Sequence, residues 1–212
     1  MKKVILTTLL ATMITVPVSA TPTGLIAIPS TDFAAQGKLH MDIDTLSSHD
    51  GSATSYGLSY GFKNGEIGVD YLPDSDNDQA IFNFKLGLVD KENFKLVAGM
   101  QNVGSGLNNA SLKYVVASTK ASDGTRFSLG YGWGRDEVLA PDENMVLAGI
   151  DKQLSDKWWG AVDYISGDSG LGALSFGVSY AVAPNASVLV GYNIYNNNSI
   201  PDTFTTQVDF NF

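Results

Sequence analysis

The chain has 212 residues, no cysteine, 22 glycines and a formal charge of −9, from 13 basic and 22 acidic residues. One domain or two small ones fit that length; a disulfide scaffold and a cysteine-ligated metal site are excluded, and the acidic balance argues against nucleic acid as a partner. With 44% hydrophobic and only 17% charged residues, the chain is too apolar for disorder, and beyond residue 20 no apolar run reaches the ~18 residues of a spanning helix.

Lys2 and Lys3, an apolar stretch over residues 4–16, Pro17 and the small residues Val18-Ser19-Ala20 follow in the order of a secretory signal peptide. Residues 1–20 are therefore expected to be removed, and loss of the two lysines takes the formal charge from −9 to −11. Residues 21–37 come next and contain Leu25, Ile26, Ile28 and Phe33, more apolar surface than a solvated tail usually carries.

From residue 38 to residue 212, apolar and polar residues alternate with period two in twelve segments. The first sets Leu39, Met41 and Ile43 against Lys38, His40, Asp42 and Asp44, and the second sets Tyr56, Leu58, Tyr60 and Phe62 against Ser55, Gly57, Ser59 and Gly61. Glu66 and Asp70 oppose Ile67, Val69 and Tyr71 in the third; Lys85 opposes Phe82, Phe84, Leu86 and Leu88 in the fourth. In the fifth, Lys95 opposes Phe94, Leu96, Ala98 and Met100. The sixth reads Leu112, Tyr114 and Val116 against Ser111 and Lys113, and the seventh Phe127, Leu129, Tyr131 and Trp133 against Ser128 and glycines. Asp151 and Asp163 mark the polar faces of the mixed eighth and ninth segments. The last three are regular, the final one pairing Phe204, Val208, Phe210 and Phe212 with Thr205, Gln207, Asp209 and Asn211.

The connections alternate in length. Long ones lie around residues 47–52, 73–79, 102–109, 135–143, 167–172 and 196–202; short ones lie at 63–65, 90–93, 121–124, 155–157 and 183–185. An even number of strands with alternating long loops and tight turns is the pattern of an outer-membrane barrel. A soluble sandwich would show the same alternation. Its polar face would coat the outside, however, and here that face is rich in Gly and Ser. The apolar face, present on all twelve segments, is also more than one core of this size encloses. The expected fold is all-β: a closed antiparallel transmembrane barrel over residues 38–212, with residues 21–37 folded into the lumen as a plug or short inner strand.

The chain ends Val208-Asp209-Phe210-Asn211-Phe212. A terminal Phe preceded by alternating apolar residues resembles the assembly signal of Gram-negative outer-membrane barrel proteins, with Val208, Phe210 and Phe212 in that role. The resemblance implies an outer-membrane location, periplasmic chaperones and the barrel-assembly machinery as partners, and contact with outer-membrane lipids and lipopolysaccharide. Pro22-Thr23-Gly24, Pro29 and Gly37 resemble the start of exopolysaccharide-associated barrels of the YjbH type.

The expected lumen-lining charges are Lys38, His40, Asp42, Asp44, Glu66, Asp70, Lys85, Lys95, Lys113, Arg126, Asp151, Asp163 and Asp209. Walls of opposite sign orient hydrated solutes, or close on each other as internal ion pairs. In the long loops Asp50, Asp74, Asp76, Asp78, Asp136, Glu137, Asp142, Glu143, Asp168 and Asp202 face only Arg135. Such a mouth raises the local cation concentration, or is ordinary solvated loop surface. Asp74-Ser75-Asp76-Asn77-Asp78 starts like a calcium loop, but Gln79 and Lys85 stand where Gly and Glu are required. His40, Ser59 and Asp209 have the residue types of a nucleophilic triad, yet they face the lumen towards the periplasmic rim, away from outer-leaflet lipid. No G-x-S-x-G or H-E-x-x-H motif occurs. The reading is a narrow, cation-preferring small-solute channel or structural barrel, without catalytic residues, metal or cofactor. The alternatives are a non-conducting accessory barrel for export or binding of surface polysaccharide and, more remotely, a lipid hydrolase. Oligomeric state and solute stay open.

Overall fold

A computed structural model describes residues 23–73, 79–103, 112–135 and 139–212. The expected signal peptide lies outside the described residues, as do Asp74, Asp76, Asp78, Asp136 and Glu137 of the long loops and Ser111.

The period-two segments form twelve strands: β1 (Leu39–Ser48), β2 (Gly51–Phe62), β3 (Gly65–Leu72), β4 (Gln79–Lys91), β5 (Phe94–Val103), β6 (Leu112–Lys120), β7 (Arg126–Trp133), β8 (Asn144–Gln153), β9 (Trp158–Ile165), β10 (Ala173–Ala183), β11 (Ala186–Tyr195) and β12 (Thr203–Asn211). Each pairs antiparallel with its chain neighbours, and β1 closes on β12. Closure leaves no strand edge unpaired, which a sheet in a hydrocarbon phase requires. The seam is locked at its end by Phe212 and Leu39, whose backbones exchange bonds of 2.9 and 3.3 Å. Both lie at the end of the barrel that carries the tight turns. One of them joins Phe62 to Gly65 through two residues, with Asn64 at φ 67° supplying the left-handed residue that such a turn needs; at the other end Ser48 and Gly51 also pair across two residues, so the expected long first loop is a tight turn.

Tyr56, Leu58, Ile67, Phe82, Leu129, Tyr131, Val162, Phe176 and Phe204 are among the large apolar side chains exposed on the outer surface. Ring pairs gather near both ends of this belt: Tyr131 with Trp133 (6.0 Å between centroids) at the long-loop end, and Trp158 with Tyr180 (4.8 Å) at the tight-turn end. An apolar belt between aromatic girdles matches the profile of a bilayer. The inner faces carry the Ser, Thr, Gly and charged residues that the alternation predicts on eleven of the strands, with buried apolar residues such as Val97, Met145, Leu147, Ile165 and Leu189 among them.

The exception is β6. Leu112, Tyr114 and Val116 are buried inside, and Lys113 is exposed on the outer surface beside Met100 and Trp133. The expectation that Lys113 lines the lumen is corrected. Two causes lie in its neighbours. Tyr114 is flanked in register by Gly99 of β5 and Gly132 of β7, and a Cβ on Gly99 would come within 2.3 Å of the phenol oxygen. The ring occupies the space those glycines leave, a known way to cover glycine in a sheet. The N-terminal segment then supplies the apolar surface that Leu112, Tyr114 and Val116 pack against. Lys38 is also corrected: it is exposed and sits one residue before β1 rather than on the lumen wall.

Candidate functional site: a lumen filled from one side

Residues 23–36 enter the barrel as a hairpin. Gly24 bridges Pro29, the Leu25 N–H donates to the Ile28 carbonyl at 2.9 Å, and the Ser30 N–H to that of Thr23 at 3.2 Å. Its tip reaches Asp163, two residues before the long-loop end of β9. There Oδ2 of Asp163 accepts the N–H groups of Ile26, Ala27 and Ile28 at 2.8, 3.0 and 3.4 Å. On β12, Gln207 donates to the Ile26 carbonyl at 3.0 Å. Leu25 and Ile28 join Val97, Leu112, Tyr114, Val116, Met145, Leu147 and Ile165 in one core, which Leu139 closes from the long-loop end. Ile26 packs separately on Ala161, Leu189 and Trp159. These contacts pack the hairpin against β5–β9 and, through Ile26, against β11 and β12.

Two ionic anchors hold the base. Lys85 and Glu66, both fully buried, pair at 2.9 Å. Lys85 also donates to the Thr23 carbonyl (3.0 Å) and hydroxyl (2.7 Å), while Glu66 accepts the Thr23 hydroxyl (2.8 Å) and the Ala34 N–H (2.7 Å). A buried pair survives only with its remaining donors and acceptors satisfied, and here the hairpin backbone satisfies them. The second anchor is Asp32, held by Lys95 at 3.1 Å and by Arg126. Burial raises the Asp32 carboxyl, but the guanidinium of Arg126 and the ammonium of Lys95 outweigh it and hold it below the ordinary 3.8. Arg126 also binds Asp151 at 2.8 Å, and Asp151 accepts the Trp159 indole N–H at 3.0 Å. Below this network lies a cavity of about 370 Å³ at the tight-turn end, lined by Asp32, Lys95, Ser118, Arg126, Asp151 and Trp159. Glycine makes the docking of the hairpin base possible: a Cβ on Gly61 would lie 2.1 Å from the Ala34 carbonyl oxygen.

The opposite wall is acidic. Asp209, Asp42, Gly57 and Asp70 follow one another in register across β12, β1, β2 and β3. The next inward row places Asp44 beside Ser55, and the row below places Asn211 beside His40 and Ser59. His40 turns Nδ1 to Asn211 at 3.2 Å and Nε2 to Asp209 and Asp42 at 3.5 and 3.7 Å. No hydrogen bond joins His40 to Ser59 among the described residues. Asp70 accepts from the Asn83 amide at 2.5 Å. Among the described residues, no Lys or Arg pairs with Asp42, Asp44, Asp70 or Asp209.

Of the expected lining residues, the structure thus brings Asp42, Asp44, Asp70, Asp209 and His40 together on one wall. Glu66 and Lys85 form one hairpin anchor, and Lys95, Arg126 and Asp151 another. Asp163 stands apart as the anchor of the tip. Sequence reasoning missed Thr23, Asp32 and Tyr114 as lumen residues. For Tyr114 the available signal was the pair of glycine-rich inner faces on either side.

No protein-family model matches the chain, and no curated protein sequence does. Among solved structures, a KdgM porin superposes with TM-score 0.63 at 14% identity, covering 82% of this chain and 99% of that one. A NanC porin gives 0.53 at 14%, covering 82% and 98%, and the outer membrane protein Omp33 of Acinetobacter baumannii 0.52 at 11%, covering 84% and 100%. At such identities the likeness is one of fold, and the chain is a closed antiparallel β-barrel with the fold of outer-membrane porins.

Proposed function

We propose that the chain is an outer-membrane channel for small solutes, narrowed by its own N-terminal hairpin and preferring cations. The apolar belt and the porin fold support the membrane setting, with the tight turns and both termini of the barrel in the periplasm and the belt in contact with outer-membrane lipids and lipopolysaccharide. Val208 and Phe210 on the outer face of β12, with Phe212 exposed beyond it, suit a signal read by the barrel-assembly machinery after delivery by periplasmic chaperones.

The observation that carries the cation preference is the inequality between the walls. Lys85, Lys95 and Arg126 are each tied to a carboxylate, whereas Asp42, Asp44 and Asp70 are tied to no lysine or arginine, and His40 alone faces Asp42, at 3.7 Å. This side of the lumen therefore presents carboxylates that no lysine or arginine neutralises, a lining that favours a cation over an anion. One KdgM porin structure is a complex with disordered oligogalacturonate; a polyanion of that kind would meet like charge on this wall.

The test is the reversal potential of the refolded protein in a planar bilayer under a salt gradient. A potential of the cation-selective sign supports the reading, and an anion-selective one overturns it. A barrel that passes neither current nor small solutes from liposomes is an accessory barrel, for which surface polysaccharide is the partner to try.

A further inference from the structure

The register places Asp42 and Asp209 directly opposite each other on the inner face, with Asp70 two strands further on and only Gly57 between. Neighbouring strands are about 4.8 Å apart, so three carboxylates share an arc of about 15 Å. Like charges facing each other across strands are destabilising, and burial weakens their screening by solvent. The residues are deeply buried: Asp42 is 3% exposed, Asp44 8% and Asp70 1%. Oδ1 of Asp44 has no hydrogen-bond partner, and no side chain hydrogen-bonds either oxygen of Asp42, to which His40 Nε2 comes no nearer than 3.7 Å. An independent observation comes from a neutral residue. Ser55, 0% exposed and beside Asp44 in register, turns its hydroxyl to the same inner face and also lacks a partner. A buried hydroxyl left unmatched is destabilising, because it has given up its water partner for nothing in return. Gly57 gives the Asp42 carboxylate its room: a Cβ there would fall 2.3 Å from both of its oxygens.

We infer that Asp42, Asp44 and Ser55, with Asp70 and Asp209 as flanking charge, form a binding site for a singly charged hard cation such as sodium. No three acidic or histidine side chains among the described residues converge as direct metal ligands. The ion therefore keeps part of its hydration water between itself and the wall, which suits an alkali cation better than a divalent ion that demands several carboxylates at once. Such a site attracts the ion yet releases it, as conduction requires.

The site rests on the cation-channel reading, but the two fail separately. Thermal unfolding of the refolded barrel in detergent micelles, followed by tryptophan fluorescence, is compared in sodium chloride and in N-methylglucamine chloride at equal ionic strength and pH 8. At sodium tenfold above its midpoint, the melting temperature is expected to rise by about 3–6 °C over the organic cation. Asp42→Asn with Asp44→Asn should abolish that difference and raise the melting temperature in N-methylglucamine, because the repulsion is gone. Ser55→Ala retains every charge and should move the sodium midpoint several-fold higher; it carries the test if the double variant does not fold. Equal melting in the two salts overturns the site, as does a difference that survives in the double variant or a midpoint unmoved by Ser55→Ala. Cation-selective current without the sodium-dependent shift removes the site and leaves the channel. The shift in a barrel that passes no current keeps the site and removes the channel.

Discussion

Asp163 makes three of the four side-chain bonds that tie the hairpin tip to the wall, Gln207 making the other, so replacing it measures how firmly the tip is held. Its Oδ2 accepts three backbone N–H groups, two of them at 2.8 and 3.0 Å and the third at a weaker 3.4 Å. A hydrogen bond to a charged group contributes about 1.5–3 kcal/mol net. The lower figure suits both shorter bonds, because the freed N–H groups regain water once the tip leaves. Asp163→Ala should then cost the docked tip about 3 kcal/mol, which at 1.4 kcal/mol per decade is about 100-fold in its opening equilibrium. Asp163→Asn keeps a neutral acceptor in place, with bonds roughly half as strong, and should cost about 10-fold. Hydrogen exchange at the amides of Ile26, Ala27 and Ile28 in micelles reads this directly, and the alanine variant should also show brief openings of higher conductance. Equal protection of the three amides in the parent and in Asp163→Ala refutes the reasoning. A uniform loss of protection along all strands would mean that the barrel, not the tip, had loosened.

The Asp32 carboxyl lies below its ordinary 3.8 in the folded chain, so its contribution is complete above that value and lost as pH falls through the depressed one. Exchange at the base of the hairpin should accelerate only below about pH 4, and Asp32→Asn should show the fast exchange at neutral pH. Gly99→Ala brings a Cβ within 2.3 Å of the Tyr114 hydroxyl and 2.5 Å of the Phe84 carbonyl oxygen, an overpacking expected to cost about 1–3 kcal/mol in a denaturant titration. Deleting Phe212 should lower the folded yield in cells far more than the stability of refolded protein; equal losses would mean the ring only packs. For selectivity, Asp42→Asn with Asp44→Asn should shift the reversal potential at all salt concentrations. Neutralising Asp74, Asp76 and Asp78 should act at 0.01 M salt and little at 1 M, as the Debye length falls from ~30 to ~3 Å. Lys113→Leu, on the outer surface, should leave the potential unchanged.

The number of strands, their antiparallel order and the end at which both barrel termini lie were legible in the sequence. They depend on period-two alternation and on turn residues, which act between neighbours in the chain. The entry of the N-terminal segment was legible as well, because Leu25, Ile26, Ile28 and Phe33 need apolar company that only the lumen offers a short segment. Three things waited on the tertiary structure. The hairpin is anchored by Glu66, Lys85, Arg126 and Asp163 (up to 137 residues away in sequence), and only closure of the barrel brings such positions together. The acidic wall forms because β1 meets β12, which sets Asp42 opposite Asp209. The orientation of β6 was misread because period two separates two faces without saying which is inner. In most strands the bilayer decides this by taking the apolar face. In β6 the glycines of β5 and β7 and the apolar hairpin offered Leu112, Tyr114 and Val116 a packed interior, and the strand turned its lysine out instead.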